Sequence, residues 1–154
     1  MVLNSLILFR DKDEDTDLVR LTYISQATFN CNEEGKKEID TITAKSTRNN
    51  SINKVTGALV YCNGWFLQAL EGKWDVVEDT LRRIADNPSH ERLRVLEVMP
   101  IQERGFAKWA MIGSVIDPID EVAQNLVGFD DAFDPDQVDG DSALSLLQQH
   151  FEKN

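Results

Sequence analysis

The chain has 154 residues, of which 42% are apolar and 28% are charged, and this fits one soluble globular domain with little room for a second. Its formal net charge is −11, from 27 acidic and 16 basic residues. An acidic surface repels phosphate groups, which argues against binding to nucleic acids or anionic membranes. The two cysteines, Cys31 and Cys62, form no CxxC pair, so free thiols are favoured over a disulfide.

The first nine residues are largely apolar, but they lack a basic segment and a small-residue cleavage site. An acidic run over residues 11–17 follows directly. This pattern is not that of a signal peptide, and no apolar run in the sequence is long enough to cross a membrane. We therefore expect a cytoplasmic protein in which residues 1–17 form an N-terminal extension.

The order of secondary structure can be predicted from composition and turn signals. Strands are predicted over residues 18–25, 55–61, 65–71, 93–100 and 106–114. Helices are predicted over about 33–48, with Asn32 as N-cap, and over 75–85, with Pro88 just beyond the end. The dipeptide Asn63-Gly64 favours a type I′ turn and predicts a hairpin.

The resulting order is β-α-β-β-α-β-β, a ferredoxin-like pattern with one added strand. It predicts an α+β fold in which two helices lie over one face of a five-stranded mixed sheet. Beyond residue 115 the chain becomes acidic and rich in turn-forming residues, with weak helical segments near 119–126 and 142–151. We interpret residues 116–154 as a C-terminal helical cap.

Conventional catalytic and metal-binding motifs are missing from the sequence. His90 and His150 each lie apart from other metal-ligating residues, so no metal site is predicted. There is no phosphate-binding loop, dinucleotide-binding glycine motif or nucleophile elbow. We therefore expect the protein not to be an enzyme.

Two polar residues fall on strand faces that should be buried. Alternation places Phe66, Gln68 and Leu70 on one face of the third strand, and on the first strand Tyr23 shares a face with Leu21. A buried amide needs hydrogen-bond partners, and the Tyr23 hydroxyl is one candidate. Periodicity alone favours a simpler arrangement, in which Gln68 bonds to backbone and the Tyr23 hydroxyl reaches the surface.

Other polar residues leave two interpretations open. Asn49 and Asn50 end the predicted first helix, where they either cap it or recognise a heterocycle with alternating donors and acceptors. Arg83, near the end of the second helix, is either a surface charge or a phosphate contact. Trp109 and Met111 lie two residues apart in the last predicted strand and should share a face, which core packing explains equally well.

Five segments occur in a characteristic linear order. They are Leu21 to Ser25, Arg48-Asn49-Asn50, Val55 to Tyr61, Phe66-Leu67-Gln68-Ala69-Leu70-Glu71-Gly72 and Arg104 to Met111. Together they resemble the BLUF family of blue-light sensors over about residues 18–115. The phrase Phe-Leu-Gln-x-Leu-Glu-Gly after a Thr-Gly strand is the most specific part of this resemblance.

The resemblance implies that a flavin ring lies between the two helices, roughly edge-on to the sheet. The flavin is expected to be FAD, with FMN or riboflavin as alternatives. Tyr23 would be the photoactive tyrosine and Gln68 its switching partner, with Trp109 or Met111 of the output strand beside Gln68. The other implied contacts are Asn49 and Asn50 at the polar ring edge, Ile42, Phe66, Ile84 and Met111 against the ring, and Arg83 and His90 toward the ribityl and phosphate end.

In the mechanism that the resemblance implies, Tyr23 gives an electron and then a proton to the excited flavin. Gln68 relays the proton and returns in a changed orientation or tautomer, and the change passes through the last strand to the cap. Three departures from the family pattern are visible. The loop around residues 29–35 is longer than usual, Ala110 replaces a common Ser, and Asn87 and Ser89 replace Asp and Arg, which leaves the choice between FAD and FMN open.

The leading hypothesis is a short photoreceptor that signals to an unidentified protein partner or by forming a homo-oligomer, because no room follows the cap for a cyclase or phosphodiesterase. Its rival is a light-insensitive ferredoxin-like flavoprotein or interaction module that responds to redox state or temperature. A small hydrolase of the same fold is disfavoured, since the first strand–helix loop lacks a basic anion-binding residue.

Overall fold

The computed structural model describes residues 18–30, 33–117, 119–128 and 133–152. The predicted N-terminal extension and the predicted N-cap Asn32 lie outside the described residues. Along the chain the elements are β1 (Leu18–Ala27), α1 (Glu33–Asn53), β2 (Thr56–Cys62), β3 (Trp65–Lys73), α2 (Trp74–Ala85), β4 (His90–Ile101), β5 (Ile112–Val115), α3 (Glu121–Leu126), a 3₁₀ turn (Pro135–Gln137) and α4 (Gly140–Glu152).

The strands form a five-stranded sheet in the order β4-β1-β3-β2-β5. β1 pairs antiparallel with both β3 and β4, and β2 pairs antiparallel with β3. β5 lies parallel to β2, which makes the sheet mixed. The predicted ferredoxin-like α+β fold is confirmed.

The hairpin between β2 and β3 turns at the predicted dipeptide. Asn63 and Gly64 have φ values of 51° and 90°, the left-handed pair that a type I′ turn requires. The turn sets the register of β2 against β3, so that Tyr61 faces Phe66 and Leu59 faces Gln68. A local sequence signal thus determines which residue lies opposite the buried glutamine.

Both faces of the sheet are buried. On one face, Leu21, Leu59 and Leu70 pack beneath α1 and α2, as the sequence predicts for the two long helices. On the opposite face, the C-terminal residues Leu146 and Leu147 of α4 are fully buried against the sheet. Burial on both faces explains why β2 is apolar at almost every position.

The first helix is longer than predicted. α1 continues through Asn49 and Asn50 to Asn53, so the interpretation of these two residues as its C-cap is wrong. Lys54 adopts a left-handed φ of 59°, and the Val55 N–H donates to the Asn50 carbonyl at 2.9 Å. This is the pattern of a Schellman motif, which ends the helix four residues later than Asn49 would.

The last strand is shorter than predicted. β5 contains only Ile112–Val115, and the residues from 104 to 111 form turns rather than the first half of a strand. The Gly105 and Phe106 N–H groups donate to the Glu71 side chain, so they do not extend the β2 ladder. None of the helices in the part of the chain that the structure describes is long and apolar enough to span a membrane.

Candidate functional site

A groove between α1 and α2 opens onto the sheet. Its cavity has a volume of about 650 Å³, within the range of roughly 300–1,000 Å³ typical of ligand sites. A smaller cavity of about 60 Å³ reaches from it to Tyr23 and Phe66. The walls of the groove combine apolar, amide and cationic side chains, namely Ile42, Ile84, Asn49, Asn50, Gln68, Lys45 and Arg83.

Tyr23 and Gln68 meet at the floor of this groove. They lie directly opposite each other in the β1–β3 register, and each side chain is only 3% exposed. The Tyr23 hydroxyl donates a hydrogen bond to Gln68 Oε1. The simpler arrangement that periodicity favours, with Gln68 bonded to backbone and Tyr23 reaching the surface, is therefore wrong.

Gln68 also contacts Met111. Its Nε2 donates to Met111 Sδ at 3.4 Å, so the amide joins a phenol on one side to a thioether on the other. A thioether is a weak acceptor and cannot donate. The contact therefore depends on which end of the amide faces the sulfur.

Burial raises the pKa of the Tyr23 phenol well above its ordinary value. The hydroxyl consequently remains protonated and remains the donor toward Gln68. In the orientation that the structure shows, Gln68 presents its carbonyl oxygen to Tyr23 and its amino group to Met111. The hydrogen-bond chain has a defined direction.

Asn50 lies in the last turn of α1 and is only 2% exposed. Its Nδ2 donates to the Ala110 carbonyl at 2.8 Å, which fastens α1 to the residue before Met111. Asn49 is half-buried on the groove wall beside it. The structure therefore brings both asparagines to the groove, with Asn50 close to the segment that carries Met111.

His90 lies next to the tyrosine. Its Nε2 is 2.5 Å from the Ile84 carbonyl and its Nδ1 is 2.7 Å from the hydroxyl of buried Ser25. A carbonyl only accepts, so Nε2 carries the proton, and in the neutral ring Nδ1 accepts from Ser25. The ring also meets Phe66 edge-on, with the centroids 6.1 Å apart.

The structure does not bring His90 and Arg83 to the same part of the groove. Arg83 lines the larger cavity and pairs with Asp79 at 3.5 Å, whereas His90 lines the smaller cavity beside Tyr23. Ile84 contributes to both cavities and lies between them. The two cavities adjoin, and a place for Arg83 and His90 toward the ribityl and phosphate end stays a prediction.

Trp109 and Met111 lie on opposite sides of the sheet. Met111 belongs to the core beneath the helices, while the Trp109 ring packs 6.2 Å from Phe151 of α4. The expectation of a shared face is wrong, because residues 104–111 are not a strand and do not alternate. Of the two, Met111 is the neighbour of Gln68.

Sequence reasoning missed Glu71, a carboxylate with no exposed surface. It accepts from Arg20 Nε at 3.1 Å and from Thr56 Oγ1 at 3.0 Å. It also accepts the backbone N–H groups of Gly105 and Phe106, at 2.7 and 2.8 Å. Glu71 therefore fixes the start of the segment whose other end contacts Gln68, three residues earlier on β3.

With the geometry established, the family can be decided by comparison. A family model described as "Sensors of blue-light using FAD" matches residues 18–112. The chain belongs to the BLUF family. It is therefore a blue-light flavin sensor domain, and the resemblance of its motifs is confirmed.

BLUF relatives include large enzymes and small proteins. Photoactivated adenylate cyclase subunit beta of Euglena gracilis is 37% identical over 98 residues, and subunit alpha is 34% identical over 107. These alignments cover 63% and 68% of this chain but 11% and 10% of the relatives. The chain thus spans about a tenth of the length of these curated relatives, and the matched part is the sensor.

Solved BLUF structures share the fold over most of the chain. The BlsA photo-activated state is 25% identical with a TM-score of 0.70, and covers 86% of this chain and 93% of its own. A bacterial light-regulated adenylyl cyclase is 29% identical with a TM-score of 0.63, over 71% of this chain and 32% of its own. The agreement with BlsA extends beyond the matched family segment.

The residues of the groove fit a flavin. Asn50 and Gln68 supply buried amide donors and acceptors at its deep end, as the carbonyl and nitrogen edge of an isoalloxazine ring needs. Ile42 and Ile84 offer apolar surface from the two facing helices. Among the described residues there is no group of three side chains that could hold a metal ion.

Proposed function

We propose that the chain is a photoreceptor that holds a flavin non-covalently between α1 and α2 and signals by rearranging the hydrogen bonds of Gln68. The observation that carries this proposal is the buried chain from the Tyr23 hydroxyl through the Gln68 amide to Met111 Sδ. The amide can turn or change tautomer, so the chain has two arrangements with different hydrogen bonds, which makes it a bistable element.

A bound flavin supplies light absorption and, once excited, a strong oxidant. Tyr23 is the residue placed to give up an electron, and its hydroxyl proton already points at Gln68 Oε1. Gln68 can receive this proton on Oε1 while it releases another from Nε2 toward the flavin that would have taken the electron. Return of one electron and one proton to Tyr23 would then restore the phenol, leaving only the orientation or tautomer of Gln68 changed.

The two arrangements of Gln68 differ in their contact with Met111. When Nε2 faces the sulfur, it donates a weak hydrogen bond at 3.4 Å. When the carbonyl oxygen faces the sulfur, both atoms are acceptors and the bond is lost. Illumination would therefore release Met111 from Gln68 and loosen the segment from 104 to 111.

Movement of this segment can reach the opposite face of the sheet. Trp109 lies two residues before Met111 and packs on Phe151 of α4. Its carbonyl accepts from the Gly57 N–H at 3.2 Å, so the segment crosses the sheet beside β2. We propose residues 18–115 as the sensor and residues 116–154 as the cap that presents the signal.

We propose FAD as the cofactor, with a non-catalytic role for this domain. Lys45 and Arg83 line the groove and can neutralise phosphate groups. The downstream partner is a protein of unidentified kind or a second copy of this chain, and the cap offers the surface for either. A cytoplasmic location stays a prediction.

An absorption spectrum tests the proposal. The protein is loaded with flavin in darkness and measured before and after a blue flash and during dark recovery. We expect a small red shift without bleaching that reverts in darkness. Tyr23→Phe should keep the flavin and lose the shift, whereas Tyr61→Phe, which changes the other tyrosine of the chain, should keep both.

A reversible shift of normal size in Tyr23→Phe would contradict the proposed mechanism. Bound flavin that bleaches, or that never shifts in the wild-type protein, would favour the light-insensitive rival that senses redox state or temperature.

A further inference from the structure

A second cavity opens at the N-terminal end of α1. Its volume is about 400 Å³, and it shares Glu38, Pro88 and Ser89 with the flavin groove. The two cavities therefore meet at these residues. The remaining lining comes from the loop after β1 and the start of α1, namely Thr28, Phe29, Asn30, Glu34 and Gly35.

Hydrogen bonds tie the walls of this second cavity together. The Thr28 N–H donates to the Ser89 carbonyl at 3.0 Å, and the Thr28 hydroxyl donates to the Pro88 carbonyl at 2.7 Å. The Ser89 hydroxyl in turn donates to Glu38 Oε1 at 3.0 Å. The loop after β1, the turn before β4 and α1 are thus joined where the cavities meet.

The same loop packs closely on the first turns of α1. A Cβ at Gly35 would lie 1.9 Å from the Asn30 carbonyl oxygen, so only glycine permits this approach. Phe29 stacks on Tyr61, with the ring centroids 5.9 Å apart, and meets Phe66 edge-on. At the described positions Phe29, Asn30 and Gly35, this loop and the start of α1 therefore form a closely packed wall of the cavity.

Charge distinguishes the two cavities. The flavin groove is lined by both signs of charge, Lys45 and Arg83 with Glu38 and Asp86, whereas the charged residues that line the second cavity are Glu34 and Glu38. No lysine or arginine belongs to its lining among the described residues. Carboxylates only accept hydrogen bonds and repel phosphates, so this cavity suits a neutral group rich in hydroxyl and amine donors.

The distance along α1 suits a long ligand. Asn50, at the deep end of the groove, and Glu38 are separated by twelve residues of one helix, about 18 Å at the helical rise. Glu34 lies one turn further. A ligand that contacts Asn50 and also fills the second cavity must therefore be elongated, with its phosphates at the cationic walls between.

We propose that the second cavity is a subsite for the adenosine half of FAD, and that Glu34 and Glu38 accept hydrogen bonds from its ribose hydroxyls. Acidic side chains recognise ribose in this way in other nucleotide sites. The inference rests on the proposed function, since it requires flavin in the groove. It makes Glu34 a residue that selects FAD over the shorter flavins.

The affinities of three flavins test this subsite. The full-length protein is freed of flavin, and FAD, FMN and riboflavin are each titrated in darkness while flavin fluorescence is followed. Wild-type protein should bind FAD most tightly. Glu34→Gln should weaken FAD binding about tenfold, the size expected for one charge-assisted hydrogen bond, and leave FMN and riboflavin unchanged.

Glu33→Gln is the matched control. Glu33 is exposed, adjacent to Glu34 and outside both cavities, so its replacement makes the same change in net charge. Equal affinities for the three flavins, or equal effects of Glu34→Gln and Glu33→Gln on FAD, would overturn the subsite. Failure of the wild-type protein to bind any flavin would instead overturn the proposed function, so the two failures are distinguishable.

Discussion

Replacing Glu71 by Gln should weaken the attachment of residues 104–111 to β3 and leave the contact between Tyr23 and Gln68 intact. One carboxylate oxygen accepts from Arg20 and Gly105, and the other accepts from Thr56 and Phe106. A Gln side chain presents an amino group to one of these pairs, so one backbone N–H loses its acceptor, either that of Gly105 or that of buried Phe106. Arg20, whose side chain is 11% exposed, also loses its counter-charge.

The expected cost follows from this geometry. Removing one partner of a buried ion pair costs about 3–5 kcal/mol, and an unpaired buried N–H alone costs about 1–3 kcal/mol. We expect Glu71→Gln to lower the free energy of unfolding by about 3 kcal/mol. That is a large part of the roughly 5–15 kcal/mol by which domains are stable.

Urea unfolding measures this loss. For a slope of about 1–3 kcal/mol per molar urea, the midpoint should fall by about 1–3 M. The light-induced spectral shift should persist in native buffer, because the Tyr23–Gln68 contact is untouched. Glu91→Gln, at an exposed strand position, should change the midpoint little. Equal midpoints for the two variants would show that the buried contacts of Glu71 do not stabilise the fold.

Three further outcomes are expected. Hydrogen bonds from Ser142 lower the pKa of Asp139, so the ionised carboxylate stabilises the fold at pH 7. Asp139→Ala should lower the melting temperature there, and the difference in melting temperature from wild type should vanish as the pH falls below the ordinary aspartate pKa of 3.8. Burial raises the pKa of Tyr23 in the folded state, so above pH 10 the unfolded state loses this proton first and the free energy of unfolding falls as the pH rises. Tyr23→Phe should therefore flatten the fall in urea midpoint above pH 10. Trp109→Ala should cost about 2–3 kcal/mol and speed amide exchange in α4, while the spectral shift remains because Met111 contacts Gln68.

Local patterns were sufficient for the elements that position the switch. Period-two alternation places Tyr23 and Gln68 on the inner face, and Asn63-Gly64 fixes the hairpin register. Neither pattern shows which groups pair. The bond between Tyr23 and Gln68 joins residues 45 positions apart, and its direction depends on burial that only the folded sheet creates.

The errors share a physical origin in contacts between distant residues. Asn50 resembles a helix cap, but α1 continues to Asn53, and the bond from Asn50 to Ala110, 60 residues away, accompanies the burial of its side chain. The segment before β5 has strand composition, yet Glu71 takes its amide groups and bends it. An unbroken apolar β2 was the available sign that the C-terminal residues cover the second face, and α4 does so.

The most direct test of the central claim is the light-minus-dark spectrum of Gln68→Leu. This change leaves the Tyr23 hydroxyl in place and removes the amide that joins it to Met111. We expect this variant to bind flavin and to show no reversible red shift, whereas Gln26→Leu on β1 should retain the wild-type shift. A normal, reversible shift in Gln68→Leu would contradict the assignment of the switch to Gln68.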